Sequence, residues 1–380
     1  MERQMHVVIE ENGRDGFEFY RVPGIVTAED GTLLLTYEGR EENGNRRTLF
    51  LRRLSKDLLL KERIVMVQPS GEGLLHNPLL IAGTGDRIYF FWCQDYGRLF
   101  LRESQDGGRT FGNVRELTDV VEGFRAYWPV TLWSIAPGHG ICKKDGTLVL
   151  PLWLSRGENA HLPACFACIY SEDGGETWNC SNVVPAGYGI GDPTETSVAE
   201  CSDGMLLATM RHEIPGVRCR AFCKSVDSRE WEHAFEPQET GSSRIVWGTP
   251  WLNQELPDPV CFGALYSRGD GRMAFVNCAY GDEPVLKRQR QGENIRWSLD
   301  ARQQLTVRSS QDDGNTWNQG CLLAQEGGAS DLAGAGEDLY CFYEEGWANG
   351  NCIFNRRLSL AVLPAFFKAG GRKVYDSRQK

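Results

Sequence analysis

Short apolar runs recur along the chain, each entered through an acidic or glycine-containing turn. They read DGTLLLTYEG from Asp30, GDRIYFFWCQD from Gly85, DGTLVLPLWLS from Asp145, DGMLLATMRHE from Asp203, DGRMAFVNCAY from Asp270 and EDLYCFYEEG from Glu337. Each is followed by a second run of strand character: RTLFLRRLS, GRLFLRESQ, ACFACIYSE, CRAFCKSVD, QQLTVRSSQ and CIFNRRLSL. Helical periodicity is hard to find, so the pattern predicts strands throughout. A unit of two to four strands recurring about every 60 residues cannot cover its own faces, whereas radial stacking of the copies can. The expectation is an all-β chain, a six-bladed β-propeller of four-stranded antiparallel blades, with residues 1–380 forming a single domain. A solenoid of the same units would need capping ends. The apolar segment Leu358–Phe367 instead suits a strand that completes a ring.

A second repeat marks the same modules. SQDGGRTF at Ser104–Phe111, SEDGGETW at Ser171–Trp178 and SQDDGNTW at Ser310–Trp317 share Ser-x-Asp-x-Gly-x-Thr-aromatic, with eroded copies at Ser55/Asp57 and at Ser225/Asp227/Trp231. The Asp can accept backbone N–H bonds across a tight turn, the Gly supplies a positive φ, and the Thr and ring are expected to pack beneath. These boxes are expected to be scaffold, away from the chemistry. Residues just past the apolar runs should instead surround the central channel: Glu38–Arg40, Cys93–Asp95, Trp153–Arg156, Arg211–Glu213 and Tyr343–Glu345.

Composition narrows the function. The 43 Gly and 11% aromatic content fit a turn-rich β protein with large side chains to bury. A formal charge of −10 argues against nucleic-acid or anionic-membrane partners, so an anionic ligand must be captured locally. The first residues carry no apolar core of a signal-peptide kind, and no run approaches the length of a membrane span, which gives a cytoplasmic expectation. Thirteen Cys, an odd number in a large chain, are expected as reduced core thiols. Cys165 and Cys168 lie three apart in a strand, so they face opposite sides of the sheet and cannot readily share a metal. No His, Cys or carboxylate spacing suggests a metal, and no glycine-rich segment has the context of a phosphate loop, so no cofactor is expected.

The boxes, together with FYRVPGIV at Phe19–Val26, resemble the sialidase superfamily over nearly the whole chain. Three further stretches carry the resemblance: GHGICKKDGTLVLPLW from Gly138, TETSVAECSDGMLLATMRHE from Thr194 and ARQQLTVRSSQDDGNTW from Ala301. The resemblance implies that Arg21, Arg211 and Arg302 bind a substrate carboxylate and that Glu195 acts as a base. The chemistry is apt, since a sialic acid bears a carboxylate on its anomeric carbon and guanidinium groups bind carboxylates bidentately at any working pH. It implies, too, an exo-acting glycosidase for terminal α-linked sialic acid or a related acidic sugar. Arg40, Glu41, Asn43, Asp95, Trp153 and Tyr343 are then the expected sugar contacts.

The sequence departs from that pattern at two places. The superfamily sets its nucleophilic Tyr directly before Ser-Asp-Leu, and this chain has Ala329 there. The loop after Arg40, where an acid Asp is expected, offers Glu41, Glu42, Asn43 and Asn45. Three readings follow. Glu195 activates a water in the space left by Ala329, with Glu41 or Glu42 as acid; or the protein, silenced by nature or by design, binds an acidic sugar without cleaving it; or it is a glycosidase or lyase for another acidic sugar.

Overall fold

The computed structural model describes residues 5–41, 46–55, 57–126, 128–158, 160–214, 216–227, 244–281, 289–291, 294–296, 302–346 and 356–368. All strand ladders among them are antiparallel. Phe19–Thr27, Leu33–Arg40, Arg47–Leu54 and Leu60–Val67 pair in that order, and Leu75–Ala82, Ile88–Gln94, Arg98–Ser104 and Arg115–Glu116 repeat the arrangement. A third sheet is built on Leu148–Gly157 and Ala160–Ser171, and a fourth on Leu206–Met210 and Cys219–Val226. The remaining large sheet runs from Ala264–Ser267 to Met5–Glu11 through the long strand Cys321–Ala335. That strand pairs with Gln303–Ser310 over its first half and with Asp338–Glu345 over its second, which divides the sheet into two units.

Packing closes these six units into a ring. Six hydrophobic clusters hold the core, and each draws on two neighbouring sheets: first with second, second with third, and so on to last with first. The innermost strands touch in the same cyclic order. Such faces are covered only by neighbours, which is why a single unit would not stand alone. Cys165 and Cys168 fall in two different clusters, on opposite faces of their strand, and the described cysteines are all free thiols.

One expectation needs correcting. The apolar runs are the second strand of each unit, not the innermost. The innermost strands are less uniformly apolar (FYRVPGIVT, LHNPLLIA, TSVAE, ALYS) because their backbones crowd the axis. Gly24 shows the constraint: a Cβ there would lie 2.6 Å from the Gly138 carbonyl oxygen. The innermost strand runs from one end of the ring to the other, the second returns, and the third leads away again. Ends of second strands and starts of innermost strands therefore share one end, and the boxes, after the third strands, lie at the opposite one.

The box chemistry is as expected except for the Thr. In the second box, Gly175 N–H donates to Ser171 Oγ at 2.8 Å and Thr177 N–H to Asp173 Oδ1 at 2.9 Å, with Gly175 at φ 94°. Thr177 is exposed and donates its hydroxyl to Asp173 Oδ2 at 2.6 Å instead of packing beneath. The Thr177 hydroxyl first, then its N–H, holds the Asp173 carboxyl down at about 2. A depressed carboxyl contributes stability above its unfolded pKa and loses it as pH falls toward the folded value. Asp173→Ala is expected to lower stability by about 1–2 kcal/mol at neutral pH, discounted for exposure. Urea unfolding checks this, and the difference from the parent should shrink near pH 2 to 3.

The ring is fastened by the strand Met5–Glu11, which pairs with Arg357–Leu363 of the last unit. Glu10 from that strand reaches the first unit, accepting from Arg52 at 2.8 Å and from the Tyr37 hydroxyl.

Candidate active site

Two innermost strands begin with the same device at the same end of the ring. Arg21-Val22-Pro23 and His76-Asn77-Pro78 each interrupt the register with their partner strand, and Val22 (φ 59°) and Asn77 (φ 50°) take the left-handed region. For a β-branched Val this conformation costs on the order of 1–3 kcal/mol. The bulges turn N–H groups toward buried carboxylates: Val22 donates to Glu344 at 3.2 Å and Asn77 to Glu38 at 2.8 Å. Both acids are fully buried and end second strands in parallel contexts, Tyr37-Glu38-Gly39 and Tyr343-Glu344-Glu345. Strand alternation sends each Tyr into an intersheet core and each Glu to the axis.

Glu344 gathers three of the sequence-derived residues. Arg21 donates to it from Nε at 3.1 Å and from Nη2 at 3.4 Å, Arg302 Nη1 lies 3.9 Å away, and the Ala329 N–H donates at 3.4 Å. Arg268 and Arg272, by contrast, pair with Asp270 and Glu337 at the box end. Glu344→Ala would leave Arg21 and Arg302 without this shared anchor. It is expected to lower stability by about 3 kcal/mol, measured by urea unfolding, with Glu344→Gln less severe.

Arg211, at the end of the fourth unit's second strand, donates to Glu195 at 2.8 Å and to Glu213 at 2.9 Å. Burial alone would raise the Glu195 carboxyl. The Arg211 charge and its hydrogen bond, with the more distant charges of Arg302 and Arg21, outweigh it and hold the carboxyl below its usual range. Glu195 is thus a carboxylate at neutral pH, and all three arginines contribute to its field. Arg211 Nε, Glu213 Oε2 and Thr194 Oγ1 are buried here with no partner among the described residues. Orphaned polar atoms of this kind are costly unless a ligand or water meets them.

The second and third units add an aromatic wall. His76 stacks on Tyr96 at 4.1 Å, and His161 lies 4.9 Å from Tyr96 and 5.1 Å from Trp153. Burial lowers His76 to about 3, so the ring is neutral; Nε2 accepts the Tyr96 N–H at 3.1 Å, which makes Nδ1 the donor to Ser134. Beneath it, Glu38 is held at about 2: burial opposes, but the charges of Arg40 and Arg47 and the Asn77 N–H prevail. Tyr96 lies in the field of both acid clusters, feeling Glu38 and Glu195.

The expected sugar contacts divide. Arg40 is half-buried and engaged with Glu38 at 2.7 Å, and Trp153 is buried in the aromatic wall. Asp95 is exposed and accepts the Leu74 N–H at 2.6 Å. Glu41 is partly exposed and paired with Arg46 at 3.3 Å, and Asn43 lies outside the described residues. Tyr343 is placed differently from the expectation: it is 1% exposed and packs between the fifth and sixth units, leaving its neighbour Glu344 to face the axis. Glu38 and Glu344 fell within the expected channel rim but with no role assigned, and Tyr96 and His161 were absent from the sequence-derived set. The repeated Tyr-Glu at the ends of two second strands was the available signal for the first two.

Comparisons with known proteins agree with this architecture. Residues 31–337 match the family described as BNR repeat-like domain. A sialidase of Bacteroides fragilis is 26% identical over 365 residues, covering 85% of this chain and 61% of that protein. A sialidase of Clostridium perfringens is 26% identical over 245 residues, covering 58% and 62%. The chain thus spans about three-fifths of the length of these curated relatives. Among solved structures, Hadza microbial sialidase Hz136 superposes with a TM-score of 0.69 at 20% identity over 94% of this chain and 68% of that one. The intramolecular trans-sialidase of Ruminococcus gnavus, in complex with oseltamivir carboxylate, gives 0.62 at 12% identity over 92% and 95%. At these identities the superpositions speak for the β-propeller fold alone.

Proposed function

Because this chain belongs to the BNR repeat-like family, within the sialidase superfamily of β-propellers, we propose that it is an exo-acting glycosidase for terminal α-linked sialic acid or a related carboxylate-bearing sugar. The observation that carries the proposal is the placing of three arginines at one end of the ring, Arg21 and Arg302 on Glu344 and Arg211 on Glu195 and Glu213, with all three charges lowering the Glu195 carboxyl. A sugar carboxylate entering there meets fixed guanidinium donors, including the unpartnered Nε of Arg211. The wall of Tyr96, Trp153 and His161 offers ring edges and faces to the sugar body.

With Ala329 in place of a phenol, a water is the nucleophile. Glu195 takes a proton from it as its oxygen attacks the anomeric carbon, the glycosidic C–O bond breaks, and an acid protonates the leaving oxygen. We assign the acid role to a glutamate of the first-unit loop, Glu41 or Glu42. Direct attack by water inverts the anomeric centre, so an α-sialoside should release the β-anomer first. Proton NMR of the product in the first minutes of reaction tests this. Appearance of the α-anomer first would require a covalent nucleophile and sink the water mechanism.

Ala329 itself favours a second reading, a propeller that binds acidic sugars without turnover. The next phenols along the chain, Tyr340 and Tyr343, are both buried in intersheet cores. Saturable binding with no product over long incubation selects this reading, and Glu195-dependent release rejects it.

A further inference from the structure

The end of the ring opposite the arginines holds a cavity of about 310 Å³. That is the volume of about ten liquid water molecules, at the lower end of small-molecule pockets. Its walls are the far ends of the innermost strands and their connections, with Ala82, Ile141 and Tyr266 as apolar lining that keeps exposed surface. Gly138-His139-Gly140 crosses the axis between this cavity and the arginine site. His139 bridges to Leu80 of the second unit, and Gly138 sits so close to Phe262 that a Cβ would lie 2.9 Å from its ring.

His139 borders the cavity and is 8% exposed. Its Nδ1 is engaged by Asp331 Oδ1 at 2.7 Å, and that carboxylate also accepts the Ile25 N–H at 2.8 Å through Oδ2. An Asp acceptor requires a proton on Nδ1, so a second proton, on Nε2, makes the ring a cationic donor. Nε2 has no partner among the described residues. Thr27 Oγ1, also on the cavity wall, is buried without a partner. At the mouth, Arg268 is matched by Glu337 at 2.8 Å, and Glu200 accepts the Lys144 N–H at 2.9 Å. The Lys144 ammonium donates to the Gly269 carbonyl.

We infer that this cavity is a second ligand site, taking a small monocarboxylic acid whose carboxylate accepts from His139 Nε2–H and whose apolar chain lies along Ala82, Ile141 and Tyr266. A carboxylate fits because the deep unpartnered groups, His139 Nε2 and Thr27 Oγ1, are donors or donor-capable. An amine is disfavoured, since it would meet the imidazolium at the floor and a lysine at the mouth.

The imidazolium is accessible near neutral pH. Burial lowers the His139 pKa, but the Asp331 charge and hydrogen bond more than compensate and raise it. Asp331 faces the ring from its strand, and Cys142, Lys144, Glu200, Tyr266 and Arg268 are the other titratable groups on the cavity lining. Affinity for a carboxylate should be greatest below the His139 pKa and fall as pH rises through it.

The experiment titrates hexanoate, hexanol and hexylamine into the full chain by calorimetry. Hexanoate is expected to bind at one site, more tightly than the other two, and to lose at least fivefold in affinity between pH 6 and pH 9. Binding should survive Arg211→Ala, fall at least tenfold in His139→Gln and fall similarly in Ala82→Leu, which adds bulk to the cavity wall without touching the His139–Asp331 pair. Thr27→Val should cost a few-fold. The inference is overturned if hexanoate does not bind, if hexylamine binds as well, or if binding disappears in Arg211→Ala while persisting in His139→Gln. None of these outcomes depends on turnover at the arginine site.

Discussion

Arg211→Ala is expected to weaken binding of a non-hydrolysable sialic acid analogue by about 10- to 150-fold, equivalent to about 1.5–3 kcal/mol for a charge-assisted hydrogen bond. The size follows from its position. Arg211 bonds two carboxylates at 2.8 and 2.9 Å and has one more buried N–H unspent, so its loss removes a donor and leaves Glu195 and Glu213 facing each other. Arg211→Lys should recover part of the affinity, because the charge returns without the planar fork. Calorimetric titration measures both variants, and unchanged affinity in Arg211→Ala would remove the acidic-sugar assignment. Circular dichroism and urea unfolding separate lost binding from lost folding.

Glu195→Gln is expected to lower kcat by roughly 10²- to 10⁴-fold, the usual worth of a positioned base, with analogue affinity kept within a few-fold. The pH profile supplies a readout that a structural role would not move. The Glu195 carboxyl is depressed, principally by Arg211 against the opposing effect of burial, so its base form persists as pH falls until that low value is crossed. The acid limb of kcat in the parent should therefore lie below about 4.3, the ordinary glutamate value. A limb near pH 6 with full activity in Glu195→Gln would assign the base elsewhere.

Much of the architecture was legible because the signals were repetitive. The six apolar runs and three boxes gave modules, their spacing gave a ring, and the box ending at Trp317 located Arg302 eight residues upstream of Ser310. What could not be seen was which strand of each unit lined the axis. Crowding there selects small residues, prolines and bulges, as at Val22 and Asn77, and these dilute the apolar periodicity that makes strands visible. The same blurring left Glu38 and Glu344 as rim residues with no visible role. A buried acid at a strand end resembles a solvated rim charge until the bulged N–H groups and arginines that satisfy it are placed in space. Tyr343 shows the reverse error, a ring beside the pocket in sequence and inside the core in three dimensions, because neighbouring residues of a strand face opposite ways.

The fastening strand sets an order of events for the chain as it is made. Met5 pairs with Val362, so this strand has no hydrogen-bonding partner until the units between them have been made. Five intersheet cores can form before that moment, while Met5–Glu11 waits as an unpaired strand. A nascent copy held in that condition beside another offers it the Met5–Glu11 segment at high local concentration. Strand exchange between copies therefore competes with ring closure wherever unclosed rings meet.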